Sequence, residues 1–341
     1  MCNICVCNLK ISALCNKRYQ SCSICYRRIR PRYLSLHREK RNYPCQINYN
    51  ETMQSNNKKP VVVGIGELLW DMLPTGKKAG GAPINFVYHA SRLGAEGYAI
   101  SAVGDDGLGR EILEELDNNS IRYLIEKVPY PTGTVQVTLQ DGVPDYIINE
   151  RVAWDHLSPT SNAIDLAERA DAICFGTLGQ RSAQSRETIQ AILSFAPDDA
   201  YRCFDINLRQ HYYTKELIEE SLYLANMLKV NDGELVVLRD MFHLEGTDKE
   251  VAHWFIEHYN LRLVVLTAGG AYSTIYTANE ESTLQNPEVQ VADTVGAGDA
   301  FSGALVISLL KGASLREAHE FAVRTAAYVC TKEGAWPAYE E

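Results

Sequence analysis

The chain has 341 residues, 46% of them hydrophobic, and a formal net charge of −10, which is enough apolar material for one large core or two smaller ones. Its longest apolar stretches, such as 304–310, fall well short of the roughly 18 to 20 residues a membrane span needs, so no membrane partner is expected. The acidic balance disfavours a phosphate backbone, so no nucleic-acid partner is expected either.

The first segment in chain order, 1–58, reads as a basic, Cys-rich extension, unstructured or the product of a misplaced start codon. Residues 1–52 hold ten Lys or Arg against two acids, Glu39 and Glu51, and seven of the ten cysteines. The pairs Cys2/Cys5 and Cys22/Cys25, with sixteen residues between them, have the spacing of a four-thiolate zinc site. Against zinc, the segment lacks the hydrophobic periodicity of a folded ribbon, and Met53 stands just before a clean domain start. It also lacks the apolar core of a secretory signal. Of the remaining cysteines, Cys174 and Cys203 sit in apolar runs where a free thiol acts as a small hydrophobe. A disulfide framework is therefore not expected, and a reduced, cytoplasmic protein is.

From Lys59 to Pro337 apolar strand-like runs alternate with amphipathic helical runs, the pattern of a sheet covered by helices on both faces. Strands are predicted over 61–65, 98–103, 172–175, 202–206, 227–230 and 263–267, and helices over 84–93, 109–118, 300–310 and 315–330. Between 133 and 149, Val135, Val137 and Leu139 alternate with polar residues and Asp141-Gly142 supplies a turn, which predicts a half-exposed hairpin. This is read as part of a β lid, with strands from about 68–82 and 133–152. The apolar face of such a lid needs a cover, which a second copy of the chain would supply.

The strongest chemical signal is Asp293-Thr-Val-Gly-Ala-Gly-Asp-Ala-Phe301, where two glycines let the backbone approach a ligand as an apolar helix begins. Free N–H groups at such a helix start point at an anion. Asp299 is expected to cap the helix and, favoured by the helix dipole, to stay ionised as a base. The plainer alternative is a capped helix without chemistry. Gly64-Ile65-Gly66 hints at a dinucleotide loop, but the third glycine is replaced by Leu69, and no Walker loop is present.

This stretch closely resembles the C-terminal signature of PfkB, or ribokinase-like, carbohydrate kinases. Gly80-Gly81-Ala82-Pro83-Ile84-Asn85 is similar to the family's sugar-binding Gly-Gly motif, and Asn231-Asp232-Gly233-Glu234 to its Asn-x-x-Glu motif. With Gly66-Glu67-Leu68-Leu69-Trp70-Asp71 and Phe204-Asp205-Ile206-Asn207-Leu208-Arg209, the chain most resembles bacterial-type fructokinases.

The resemblance implies a three-layer α/β/α sandwich with a small β-sheet lid, and phosphorylation of a sugar hydroxyl, D-fructose above others, by ATP. It makes Asp299 the general base and Gly296, Ala297 and Gly298 the anion hole. Asp71, Gly80, Gly81, Asn85 and Arg209 would bind the sugar, with a turn cap as the plain alternative for Asp71 and an ion pair to Asp205 for Arg209. Asn231, Thr267, Gly269 and Gly270 would contact ATP, and Glu234 would hold Mg2+ through water. Asp293 and the Val295 carbonyl resemble the family's monovalent-cation site, where K+ would bind. Two departures touch the nucleotide region: Tyr272 stands where many relatives have Gly, and Arg324 where many have Asn. The alternatives are a kinase for ribose or for a sugar acid such as 2-keto-3-deoxygluconate, with Arg151 of the lid as its cation, and a kinase-like scaffold without catalysis.

Overall fold

Strand β1 (Val61–Ile65) lies fully inside the protein and divides its side chains between two layers. Val61, Val63 and Ile65 join one apolar cluster and Val62 the other, as the period of two in a strand requires. The computed structural model describes residues 58–74, 76–140 and 143–339. The zinc reading of Cys2, Cys5, Cys22 and Cys25 lies outside these residues.

Around β1 a nine-stranded sheet runs in the order β13-β12-β11-β10-β9-β8-β1-β4-β5. Its seven-strand body is parallel: β4 (Glu96–Gly104), β5 (Arg122–Val128), β8 (Ala172–Gly176), β9 (Tyr201–Asp205), β10 (Met227–Asn231) and β11 (Leu263–Ala268) join β1. Two antiparallel strands, β12 (Tyr272–Thr277) and β13 (Glu281–Gln285), finish one edge. The chain passes from β1 to β4 and β5 on one side and returns through β8 on the other. The topological switch therefore falls between β1 and β8, where open α/β sheets bind ligands beyond the carboxyl ends of their strands.

Helices cover both faces. On the Val62 side lie α1 (Ala82–Arg92), α2 (Gly107–Asn118), α8 (Ala297–Leu310) and α9 (Leu315–Cys330); on the Val61 side lie α3 (Ser161–Ala167), α4 (Ala183–Leu193), α5 (Lys215–Leu224), α6 (Asp232–Phe242) and α7 (Asp248–Tyr259). Side-chain caps start most of them, with Asp106, Thr160, Ser182, Thr214, Asn231, Thr247 and Ser314 each accepting a first-turn N–H. The result is the three-layer α/β/α sandwich that the motifs imply. Cys174 and Cys203 are register partners on β8 and β9, buried and free.

A second sheet, β3-β2-β6-β7, combines β2 (Leu69–Leu73), β3 (Gly76–Gly80), β6 (Gly133–Gln140) and β7 (Val143–Ile148). Strands β6 and β7 pair antiparallel as their alternation predicts, and β2 joins them in parallel to β6. Leu69, Val135 and Ile148 of this sheet pack with Val152, Trp154 and Leu178 in a small apolar cluster at its base.

Candidate active site

The carboxyl ends of the parallel strands gather the charged residues that the apolar strand interiors exclude. Glu67 follows β1, Asp205 ends β9, Asn231 ends β10, and Asn231 is the register partner of Thr267 on β11. Helix α8 brings Asp299 to them. It starts at Gly296, whose φ of 80° is left-handed and whose added Cβ would stand 2.9 Å from the Cα of Ala335; both facts require glycine there.

Asp299 does not cap α8. It occupies the third helical position, and Gly296 as N-cap has no side chain to offer. Its Oδ2 instead accepts a hydrogen bond of 2.8 Å from Asn85 Nδ2 on α1. The expected ionised state is also corrected: burial, followed by the neighbouring Asp205 carboxylate, pushes the Asp299 pKa up to about 7, against the opposing effects of Lys229 and Asn85. Desolvation is the largest of these effects and outweighs what the start of α8 offers the carboxylate. Of the three anion-hole residues, Ala297 has its N–H committed to the Thr294 carbonyl at 3.3 Å.

Lys229, in the middle of β10, was not singled out from the sequence. Its ammonium donates to both Asp205 oxygens at 2.8 and 3.1 Å, and a Cβ on Gly298 would lie 3.1 Å from its Nζ. A cation thus sits directly beneath the Gly-rich turn. Burial works against its charge, but Asp205, Glu234 and Asp299 around it raise its pKa above the ordinary lysine range. Asp205 therefore pairs with Lys229, not with Arg209. The available signal was a lysine inside the otherwise apolar run Met227-Leu228-Lys229-Val230.

Asn231 and Glu234 form a reciprocal capping box on α6, the Asn231 side chain accepting from Glu234 N at 2.8 Å and Glu234 Oε2 from Asn231 N at 2.9 Å. Glu234 Oε1 accepts a third bond, from Leu208 N at 3.0 Å. Each carboxylate oxygen keeps one lone pair, which fits a metal-bound water better than the ion itself. Among the described residues no group of three or more His, Cys, Asp or Glu is placed to hold a metal.

On the lid side, Asp71 lies within β2, opposite Lys78, so it is a strand residue and not a turn cap. A Cβ on Gly80 would come 3.1 Å from its Oδ2. Burial raises the Asp71 pKa to about 6, Arg209 opposing and Asp293 adding to the shift. Gly81 has φ 126°, and a side chain there would collide with the Glu67 carbonyl. Asn85, 5% exposed, stands one turn into α1. Glu67 is also buried, and desolvation raises its pKa to about 7 although backbone N–H groups, that of Ala82 among them, bond to it. Arg209 is exposed and donates to the Leu208 carbonyl at 3.1 Å, while its charge reaches Asp71 and Glu67.

Gly269 and Gly270 form the open turn between β11 and β12, with no atom near enough to meet an added Cβ. The Gly269 carbonyl accepts from Asn286 at 2.6 Å. Tyr272 begins β12 and Arg324 is exposed on α9. Asp293 bonds Val295 N at 3.1 Å and Gly334 N at 3.0 Å, and Lys78 of β3 brings its ammonium to 3.7 Å. The carboxylate fits a monovalent cation, and Lys78 already supplies part of the positive charge.

The C-terminal segment also enters the site, a feature the sequence reading missed. Trp336 Nε1 donates to Asn85 Oδ1 at 2.8 Å, and the Tyr88 hydroxyl donates to the Pro337 carbonyl at 2.6 Å.

Residues 68–341 match the model of the pfkB family carbohydrate kinases. A protein of Pyrococcus horikoshii named as a sugar kinase is 29% identical over 297 residues, which is 81% of this chain and 92% of that one. Its structure in complex with ATP aligns with TM-score 0.70 over 81% of this chain and 94% of that chain. A fructokinase of Rhizobium leguminosarum is 28% identical over 73% of this chain and 79% of its own. An ATP-dependent 6-phosphofructokinase of Thermoanaerobacterium thermosaccharolyticum is 26% identical over 85% and 94%. A raised carboxyl held by an amide at the mouth of a Gly-rich helix, on a doubly covered parallel sheet, agrees with those matches: the chain belongs to the pfkB family and is an ATP-dependent carbohydrate kinase.

Proposed function

We propose that the chain transfers the γ-phosphoryl group of ATP to a hydroxyl of D-fructose, with Asp299 as the general base. The observation that carries this reading is the Asp299 carboxyl, placed on the first turn of α8 at the sheet's switch point and held by Asn85. A base with a pKa near 7 is matched to proton transfer at neutral pH.

Asp299 takes the hydroxyl proton as the sugar oxygen forms its bond to the γ-phosphorus and the bond from that phosphorus to the ADP oxygen breaks. Lys229 and the N–H groups of Gly296 and Gly298 stabilise the charge on the transferred group, which is where phosphoryl transfer needs help, with Ala297 held in the turn by its bond to Thr294. Mg2+, held through water by Glu234, would supply further charge neutralisation on the phosphates. Asn231, Thr267 and the open Gly269-Gly270 turn line the nucleotide side, and Asp71, Asn85 and the Gly80-Gly81 backbone the sugar side. Arg209 orients Asp71 and the sugar from the rim. A monovalent cation, K+ by preference, would shape the turn from Asp293 and the Val295 carbonyl. The second sheet is the lid, and its closure excludes water from the transfer.

The fructokinase relative supports fructose, and the phosphofructokinase relative supports a second reading, fructose 6-phosphate, for which Arg209 is the exposed cation, while the lid lysines Lys77 and Lys78 pair with Glu111 and Asp293. The test is coupled ADP release with Mg-ATP against fructose, fructose 6-phosphate, ribose, glucose and 2-keto-3-deoxygluconate. A kcat/KM preference for fructose is expected. Preference for another acceptor would replace the substrate and keep the chemistry, and no turnover on any would overturn the catalytic reading.

A further inference from the structure

The indole N–H of Trp336 is aimed at Asn85. Its Nε1 donates to Asn85 Oδ1 at 2.8 Å, and on the other side Asn85 Nδ2 donates to Asp299 Oδ2 at 2.8 Å. An indole can only donate, whereas an amide presents a donor at one end and an acceptor at the other. Trp336 therefore dictates which end is which. Were the amide reversed, its NH2 would face the indole N–H and its carbonyl oxygen would face the carboxylate, and both contacts would be lost.

We propose that Trp336 is a positioning residue for the base: it fixes the Asn85 amide so that Nδ2 is always presented to Asp299 Oδ2, leaving the other oxygen of Asp299 for the proton of the sugar hydroxyl. The inference rests on the reading of Asp299 as the base. It extends the site to the C-terminal segment, which is tied down at several points. Gly334 N bonds Asp293 at 3.0 Å, Tyr328 donates to the Ala338 carbonyl at 2.6 Å, and the Trp336 ring stacks on Tyr88 with centroids 5.8 Å apart. Ala335 packs against Gly296, the residue that begins α8. The segment thus holds the indole rigid relative to the helix that carries the base.

The donor from Asn85 favours the ionised form of Asp299. The other groups acting on that carboxyl are Asp205 on β9, Lys229 on β10, Glu67 after β1 and the Cys174 thiol on β8. The hydrogen-bonded route from Trp336 to Asp299 runs through the Asn85 amide.

The experiment is the pH dependence of kcat/KM for sugar phosphorylation by Trp336→Phe, which keeps a ring for Tyr88 and removes the N–H. The acid limb is expected to move up by about one unit, the equivalent of one charge-assisted hydrogen bond weakened. Activity then falls roughly tenfold at pH 6 and recovers above pH 9. An unmoved limb, or an equal loss at every pH with a lower Tm, would show that the indole only packs and would overturn the proposal. The benzothienyl isostere of tryptophan at position 336, with the same shape and no N–H, gives the same readout if the phenylalanine variant does not fold. Asp299→Asn is measured alongside. Near-normal turnover by that variant means the base reading fails, whereas an inactive variant with an unmoved limb in Trp336→Phe means only the Trp336 role fails.

Discussion

At the scale of single residues, the same burial that tunes Asp299 also destabilises the fold. Because its folded pKa of about 7 exceeds the unfolded value of about 3.9, Asp299 contributes full stability below pH 4 and loses it as pH rises through 7. Asp299→Asn is therefore expected to lower kcat by roughly 10²- to 10⁴-fold with less effect on sugar KM, while raising Tm at pH 8 and leaving it unchanged near pH 4. Near-normal kcat in that variant would remove the residue from its assigned role. Wild-type kcat/KM should rise with pH along a limb centred near 7, since only the ionised carboxyl accepts a proton. Lys229 shapes that limb from below. Replacing it by Met leaves Asp205 buried without its partner, a loss of roughly 3–5 kcal/mol, and takes away the charge that lowers the Asp299 pKa, so the limb moves to higher pH. In Lys229→Met combined with Asp205→Asn, the opposing influences on Asp299 are removed together, and denaturant melts and the limb should both return toward wild type. Turnover should stay low, because the ammonium also faces the Gly298 turn; full recovery of kcat would confine Lys229 to a structural ion pair.

At the scale of elements, legibility follows solvent contact. The fully buried strands β1 and β8 and the largely buried β10 and β11 read clearly as apolar runs, and the predicted bounds fall within about one residue of the observed ones. Helix α9 agrees at both ends because Ser314 and Glu317 mark its start with a capping box. Of the strands left out of the chain-order reading, β12 is a largely buried strand one place in from the edge, and the other two are edges. Arg122–Val128 and Glu281–Gln285 are half exposed and polar, and take their strand character from pairing with β4 and β12 rather than from their own pattern. The site was legible where a backbone need forces a residue type, as at Gly81 and Gly296, and where a motif joins a turn to an acid, as at Asp299. What could not be read were contacts between residues far apart in sequence. Asn85 is separated from Asp299 by 214 positions and from Trp336 by 251, and no local periodicity records such a pairing. The protonation of Asp299 was misjudged for the same reason, since its surroundings come from β9, β10 and α1 rather than from the helix it begins.

At the scale of the whole molecule, function is expected to reside in the part that forms the sandwich and the second sheet. Both apolar layers are built from residues between Val61 and Val323, and every group placed in the site lies between Glu67 and Trp336. The family match begins at residue 68. The basic segment before Met53 lies outside the described residues, and it is expected to be dispensable for the chemistry. Protein beginning at Met53 should accordingly keep the kcat/KM and the Tm of the full chain, because the family match, both apolar layers and the groups placed in the site all follow that residue. Steady-state assays of the two forms side by side, with thermal melts at matched concentration, decide the matter. A tenfold loss of kcat/KM with unchanged Tm would mean that the basic segment reaches the phosphates of ATP, and equal losses in both would mean that it completes the core.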